Sequence, residues 1–176
     1  MKKLSISILA LALFFSTSAF HPLPGDDTSS REFFNASNAK SVKAEEVTAA
    51  ASKAFSAKFA NANAVTWKEA SGIFFVDFKV SEKALTAAFS ETGEMIAISR
   101  TLSIDLLPLA LTETLNDRYS GYVMPLTVTE IVMQGATNYY LIVQGKTKNL
   151  QLKCSPDGDI TVDKKIKKKI LVGSVM

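Results

Sequence analysis

Few residues of this chain could do chemistry, and their spacing argues against most of it. The single histidine, His21, stands beside Pro22 in a stretch with no hydrophobic periodicity, whereas a general base needs a fixed partner and fixed geometry. The single cysteine, Cys154, alternates with Leu150 and Leu152, which suits a small buried residue rather than a nucleophile. With no second cysteine it cannot form an intramolecular disulfide. Asp157-Gly158-Asp159 resembles the start of a calcium loop, but the remaining ligand array and closing glutamate are absent, and a hairpin turn accounts for it. No His/Cys cluster has zinc-site spacing. The expectation is a protein that is not an enzyme, with no cofactor and no metal.

Two other groups of residues invite a binding reading. Lys164, Lys165, Lys167, Lys168 and Lys169 crowd the C-terminal region. They suit an anionic partner, or the charged edge strand that prevents a sheet from pairing further; the edge reading is the simpler. Phe75, Tyr140 and Ile142 alternate out of phase with the apolar core positions. An antiparallel sheet with helices on one side usually leaves its other face polar, as Asp77, Lys79, Gln144, Gln151 and Lys153 do. Phe75 and Tyr140 depart from that rule, and an apolar patch with a polar rim often marks a binding site. Phe75, Tyr140, Ile142, Asp77 and Lys153 are therefore the candidate partner-binding residues. Burial of the aromatics beneath Phe33-Phe34 or Ile170-Leu171-Val172 is the competing expectation.

These residues have to be positioned by something. Met1 to Ala19 has two lysines, an apolar run and then small residues, the pattern of a cleaved signal peptide. Residues 20–41 are rich in Ser, Asn, Asp and Pro and read as a flexible leader. Loss of Lys2 and Lys3 leaves 18 basic against 17 acidic residues, so the charge balance does not point to nucleic acid. A periplasmic or secreted protein with no stable membrane span is expected.

A first helix is expected from about Val42 to Asn61, with Ser41 as its cap, and a second from Pro108 to Gly121. Four strand-like segments follow each. Aromatic and hairpin positions recur at a constant offset of 65 residues: Phe75 with Tyr140, Phe89 with Cys154, and Gly93 with Gly158. Phe55 and Phe59 match Leu115 and Tyr119 at an offset of 60, which implies an insertion between helix and sheet in the second copy. The predicted fold class is α+β: a tandem repeat of one helix plus a four-strand antiparallel meander, with helices packed on one face of a curved sheet. The domain would span 42–176, with repeats at about 42–102 and 103–170.

The run Ala54-Phe55, Phe59, Ala62, Val65 and Trp67, followed by the aromatic strand at Phe75 and the hairpin Phe89 with Gly93, resembles the PepSY-like domains of exported bacterial proteins. Leu107-Pro108 and Tyr119-Ser120-Gly121 fit the same pattern. That group is similar to the β-lactamase inhibitor protein, whose helix-plus-strand units form a concave sheet that grips an enzyme. The resemblance covers about Val42 to Ile166. It implies an exported binding module for a protein or peptide of the cell envelope, a possible inhibitor or sensor of a hydrolase, acting through the open sheet face. The inhibitor's disulfides have no counterpart in a chain with one cysteine. The alternative is an envelope-associated protein that binds a small molecule or an anionic polymer.

Overall fold

Alternation of apolar and polar residues with a period of two dominates the chain after residue 62, so strands dominate the fold. The computed structural model describes residues 39–168. The expected signal peptide, most of the leader, Phe33-Phe34, Lys169 and Ile170-Leu171-Val172 lie outside the described residues. The strands are β1 (Lys40–Val42), β2 (Asn63–Ala70), β3 (Ile73–Val80), β4 (Lys83–Ser90), β5 (Met95–Ser103), β6 (Thr127–Met133), β7 (Ala136–Gln144), β8 (Lys148–Cys154) and β9 (Ile160–Lys167). They form a single antiparallel sheet in sequence order, β1 to β9. Two ten-residue helices, α1 (Ala49–Lys58) and α2 (Leu109–Arg118), precede β2 and β6.

This corrects the expected fold class. The architecture is not a tandem repeat of a helix plus a four-strand meander. It is one nine-stranded sheet, and β5 and β6 pair over seven residues from Ala97↔Met133 to Ser103↔Thr127, straight across the supposed boundary. The 65-residue similarity reflects what any strand covered on one face requires, namely apolar residues at every second position and glycine in the turns.

The helix boundaries also differ from expectation. Lys40–Val42 belongs to the sheet, pairing with Trp67 to Glu69, and Ala44–Glu46 is a short 3-10 turn. The first α-helix begins only after Thr48, whose hydroxyl accepts from the Ala51 N–H at 3.2 Å. That hydroxyl also donates to the Glu91 carbonyl at 2.9 Å. One threonine therefore caps α1 and ties it to the β4–β5 turn.

Both helices cover the same face. Phe55 of α1 packs edge-on against Trp67, Phe78 and Phe89, with ring centroids 5.3, 5.1 and 6.3 Å away. Leu111 and Leu115 of α2 pack on Leu141, Val143, Leu150 and Leu152. Ile98 joins the first cluster and Leu102 the second. These two residues are four apart on β5 in unbroken register, so they point to one side of the sheet. A third, smaller cluster of Ala70, Phe75, Ala88 and Ala97 is buried on the opposite side, where Ala39 packs against it.

Candidate binding surfaces

On the face opposite the helices, the predicted residues separate into two places. Asp77 and Phe75 lie on β3, whereas Tyr140 and Ile142 lie on β7 and Lys153 on β8. The strand order puts β4, β5 and β6 between the two groups. Within the second group the register is direct, with Tyr140 opposite Lys153 and Ile142 opposite Gln151. The structure therefore brings Tyr140, Ile142 and Lys153 together and leaves Phe75 and Asp77 apart from them.

The aromatic pair is not an exposed patch. Phe75 is 6 % exposed and Tyr140 1 % exposed. Ala88, Ala97 and Ile131 on the same face are also buried. Among the described residues the Tyr140 hydroxyl has no hydrogen-bond partner. The solvent-facing part of this face carries polar groups beside the partly buried Ile73, Ile96, Met133 and Ile142. The Asp77 carboxylate accepts from Lys68 Nζ at 2.8 Å and from Thr86 Oγ1 at 2.7 Å. These cross-strand bonds contribute about 0.2–1 kcal/mol each. Beside them is a shallow depression of about 310 Å³, lined by Lys79, Ser99 and Thr101.

The lysines Lys164, Lys165 and Lys167 lie on β9, with Lys168 just beyond it, and all four are exposed. Lys164 pairs with Gln151, Lys165 with Leu150 and Lys167 with Lys148, so Lys165 and Lys167 point to one face and Lys164 to the other. They form a charged border rather than one basic patch. β9 is the last strand of the sheet among the described residues, and lysines on an edge strand discourage pairing with other chains.

Cys154 is buried on the helix face, and burial pushes its thiol up to about 12. The thiolate is the reactive form, so alkylation at pH 8 should be far slower in the native protein than in urea-unfolded protein. Mass spectrometry of the alkylated fraction measures this; equal rates would place the thiol at the surface. Because the folded value exceeds the usual thiol value of 9.0, this group stabilises the fold fully below about pH 9. Its contribution is lost as pH rises towards about 12.

Sequence reasoning missed a further site on the helix face. Ile98, Arg100 and Leu102 alternate along β5, and Val128, Glu130 and Val132 along β6, with Arg100 directly opposite Glu130. Opposite charges thus occupy adjacent positions at core parity. Glu130 is the one charged residue that is buried among those described, at 9 % exposure, and its Oε2 accepts from Arg100 Nε. Tyr139 stands opposite Glu130 on β7. Burial, then the charge and hydrogen bonding of Glu130, raise the Tyr139 pKa, while Arg100 opposes the shift. The Arg100 pKa is raised chiefly by its bond to Glu130. These groups line a cleft of about 870 Å³, with Val80, Leu85, Leu102 and Leu106 as apolar walls. The legible part of the signal was a charge at an apolar position in each of two strands; that the two strands are neighbours was not legible.

Among the described residues no group of three or more His, Cys, Asp or Glu side chains could hold a metal ion. No described helix is long and apolar enough to cross a membrane.

No protein-family model matches the chain, and no curated protein sequence matches it. Solved structures do share its fold. A β-lactamase-inhibitor-protein-like (BLIP-like) protein of Bacteroides fragilis superimposes with a TM-score of 0.58 and 19 % identity, over 68 % of this chain and 86 % of that one. A DUF2874 family protein of Bacteroides uniformis gives 0.58 and 17 %, over 68 % and 88 %. A protein of Bacteroides eggerthii, provisionally assigned to the periplasm, gives 0.59 and 14 %, over 69 % and 88 %. The chain has a BLIP-like fold.

Proposed function

We propose that this chain is an exported, non-catalytic module of the periplasm that binds a protein or peptide through the sheet face opposite its helices. The observation that carries the reading is the placement of both helices on one face, which leaves Asp77, Ile142 and Lys153 on the other. Open antiparallel faces bearing cross-strand polar groups over a buried apolar layer are suited to recognition by shape and charge. The signal-like start of the sequence, the PepSY-like motifs and the provisional periplasmic assignment of a protein with the same fold support export. The inhibitor-like fold supports a protein partner.

Charge reversal tests the face without disturbing the core. Asp77→Arg combined with Lys153→Asp changes two partly exposed side chains; losing the Lys68 and Thr86 bonds of Asp77 costs about 0.4–2 kcal/mol in all, small against a typical domain stability of about 5–15 kcal/mol. Affinity capture from envelope extract should give a partner with the parent protein and lose it with the double variant, which still shows a cooperative melting transition above the capture temperature. Retention of the same partner by the folded double variant would refute the open-face reading.

A second reading, binding of an anionic polymer, rests on the exposed Lys164, Lys165, Lys167 and Lys168 along the last strand. It predicts affinity for an acidic polysaccharide that falls steeply with salt, because exposed charges are screened beyond roughly 8 Å at physiological ionic strength. Salt-independent binding, or none at low salt, would reject it.

A further inference from the structure

The cleft on the helix side of the sheet combines features that the open face lacks. Its floor is the Arg100–Glu130 pair with Tyr139 beside it, and its walls are Val80, Leu85, Leu102 and Leu106. Leu85 is the direct register partner of Arg100 across β4 and β5, and Leu102 lies two residues further along the same face of β5. A cation and apolar walls are therefore within one residue's reach of each other. Leu106 is 67 % exposed at the rim, an apolar side chain held in water by the 3-10 turn Ile104–Leu106.

The state of the guanidinium decides what the cleft can take. Glu130 accepts from Nε of Arg100, and the Arg100 side chain makes no other hydrogen bond or ion pair among the described residues. A buried carboxylate thus anchors the inner edge of the guanidinium, and the two terminal nitrogens remain available. Those nitrogens form the planar fork that binds a second carboxylate through two parallel hydrogen bonds. The nearby charges favour the same sign of ligand. Glu82 on the cleft wall is drawn to Lys79 at 3.9 Å, while Lys83, also on the wall, makes no ion pair among the described residues.

We infer that this cleft is a second binding site, which takes a carboxylate joined to an apolar side chain, as the C-terminal residue of a peptide presents them. The carboxylate sits on the outer fork of Arg100, and the apolar side chain lies between Leu85, Leu102 and Leu106. Glu130 is a positioning residue that fixes the plane of the fork. This site lies on the opposite side of the sheet from Asp77 and Lys153, so it stands or falls independently of the open-face reading.

The test is a titration of the parent protein with acetyl-Ala-Ala-Leu bearing a free C-terminal carboxylate, and with the same peptide as its C-terminal amide. Binding is followed by backbone amide shifts of β5 and β6. A half-exposed charge-assisted pair should favour the free carboxylate by about tenfold. Arg100→Gln alone would leave Glu130 buried without its cation, so the double variant Arg100→Gln/Glu130→Gln is used to keep the fold. It should bind acid and amide equally. Leu106→Ser, at an exposed position, should weaken both peptides alike. Equal affinity of the parent protein for acid and amide would overturn the proposal. So would the absence of saturable shifts in β5 and β6, or an undiminished acid preference in the folded double variant. Unchanged binding by Leu106→Ser would overturn it too, by removing the apolar half.

Discussion

Replacing Phe75 and Tyr140 together by alanine should leave little folded protein. Each ring lies on the sheet face without helices, yet the two are 6 % and 1 % exposed. Phe75 is packed with Ala70, Ala88 and Ala97. Truncation of a buried aromatic typically costs about 3–5 kcal/mol, from lost transfer energy and the cavity left behind. With three strands between β3 and β7 the two effects should add, reaching about 6–10 kcal/mol against a typical domain stability of about 5–15 kcal/mol. The buried Trp67 provides a fluorescence signal for urea unfolding. Tyr140→Phe is the informative control. The hydroxyl has no partner among the described residues, so removing it should be neutral or stabilising by about 1 kcal/mol. A double alanine variant that unfolds at the parent urea concentration would show that this face is not a packed layer. The double variant is therefore a probe of stability and cannot report on binding.

That expectation marks where local pattern stops carrying information. The period-two alternation of Phe74, Val76 and Phe78 against Phe75, Asp77 and Lys79 correctly separates the two faces of β3, because side-chain direction is a local property of a strand. Burial is not local. The rule that a face without helices stays wet fails at Phe75, Ala88, Ala97, Ile131 and Tyr140, and these residues come from β3 to β7. The same limit explains β1. Lys40–Val42 has no strand signature of its own and owes its conformation to Trp67–Glu69, about 27 residues away, so residues there read as leader and helix start. Sequence similarity at a fixed offset likewise described strands and turns but not how they join. Continuity between β5 and β6 is a matter of hydrogen bonding between residues about 30 apart. The Arg100–Glu130 pair was half legible, because each charge at core parity stood in the sequence while the pairing of β5 with β6 did not. A charge at core parity is costly unless it is paired, and two of opposite sign in neighbouring strands satisfy each other.

The second large effect is expected at a turn. Gly93→Ala should destabilise the protein by about 3 kcal/mol or more, through two costs that a single control separates. The first is conformational: Gly93 has φ of +83°, a region that L-residues other than glycine occupy only with strain. The second is contact with α1, since a Cβ at this position would lie 2.6 Å from the Ala50 carbonyl oxygen and 2.8 Å from its carbon. Both are backbone atoms and cannot rotate away, so the turn or the helix would have to move. Moving either one strains the Thr48 hydroxyl bond to Glu91 that holds α1 to this hairpin. Gly135, in the β6–β7 turn, has φ of +78° but open space around the missing Cβ, so Gly135→Ala carries the conformational cost alone, about 1 kcal/mol. Gly158, at φ of +97°, is intermediate, because a Cβ there meets Thr114 Oγ1 at 2.8 Å and the Ala110 carbonyl at 3.0 Å. The hydroxyl can turn aside. Urea midpoints should therefore fall in the order Gly135→Ala, Gly158→Ala, Gly93→Ala, the last being the least stable. Equal losses for Gly93→Ala and Gly135→Ala would mean that the β4–β5 turn is not pressed against α1. The measured order thus tests how tightly the sheet holds its helices on one side.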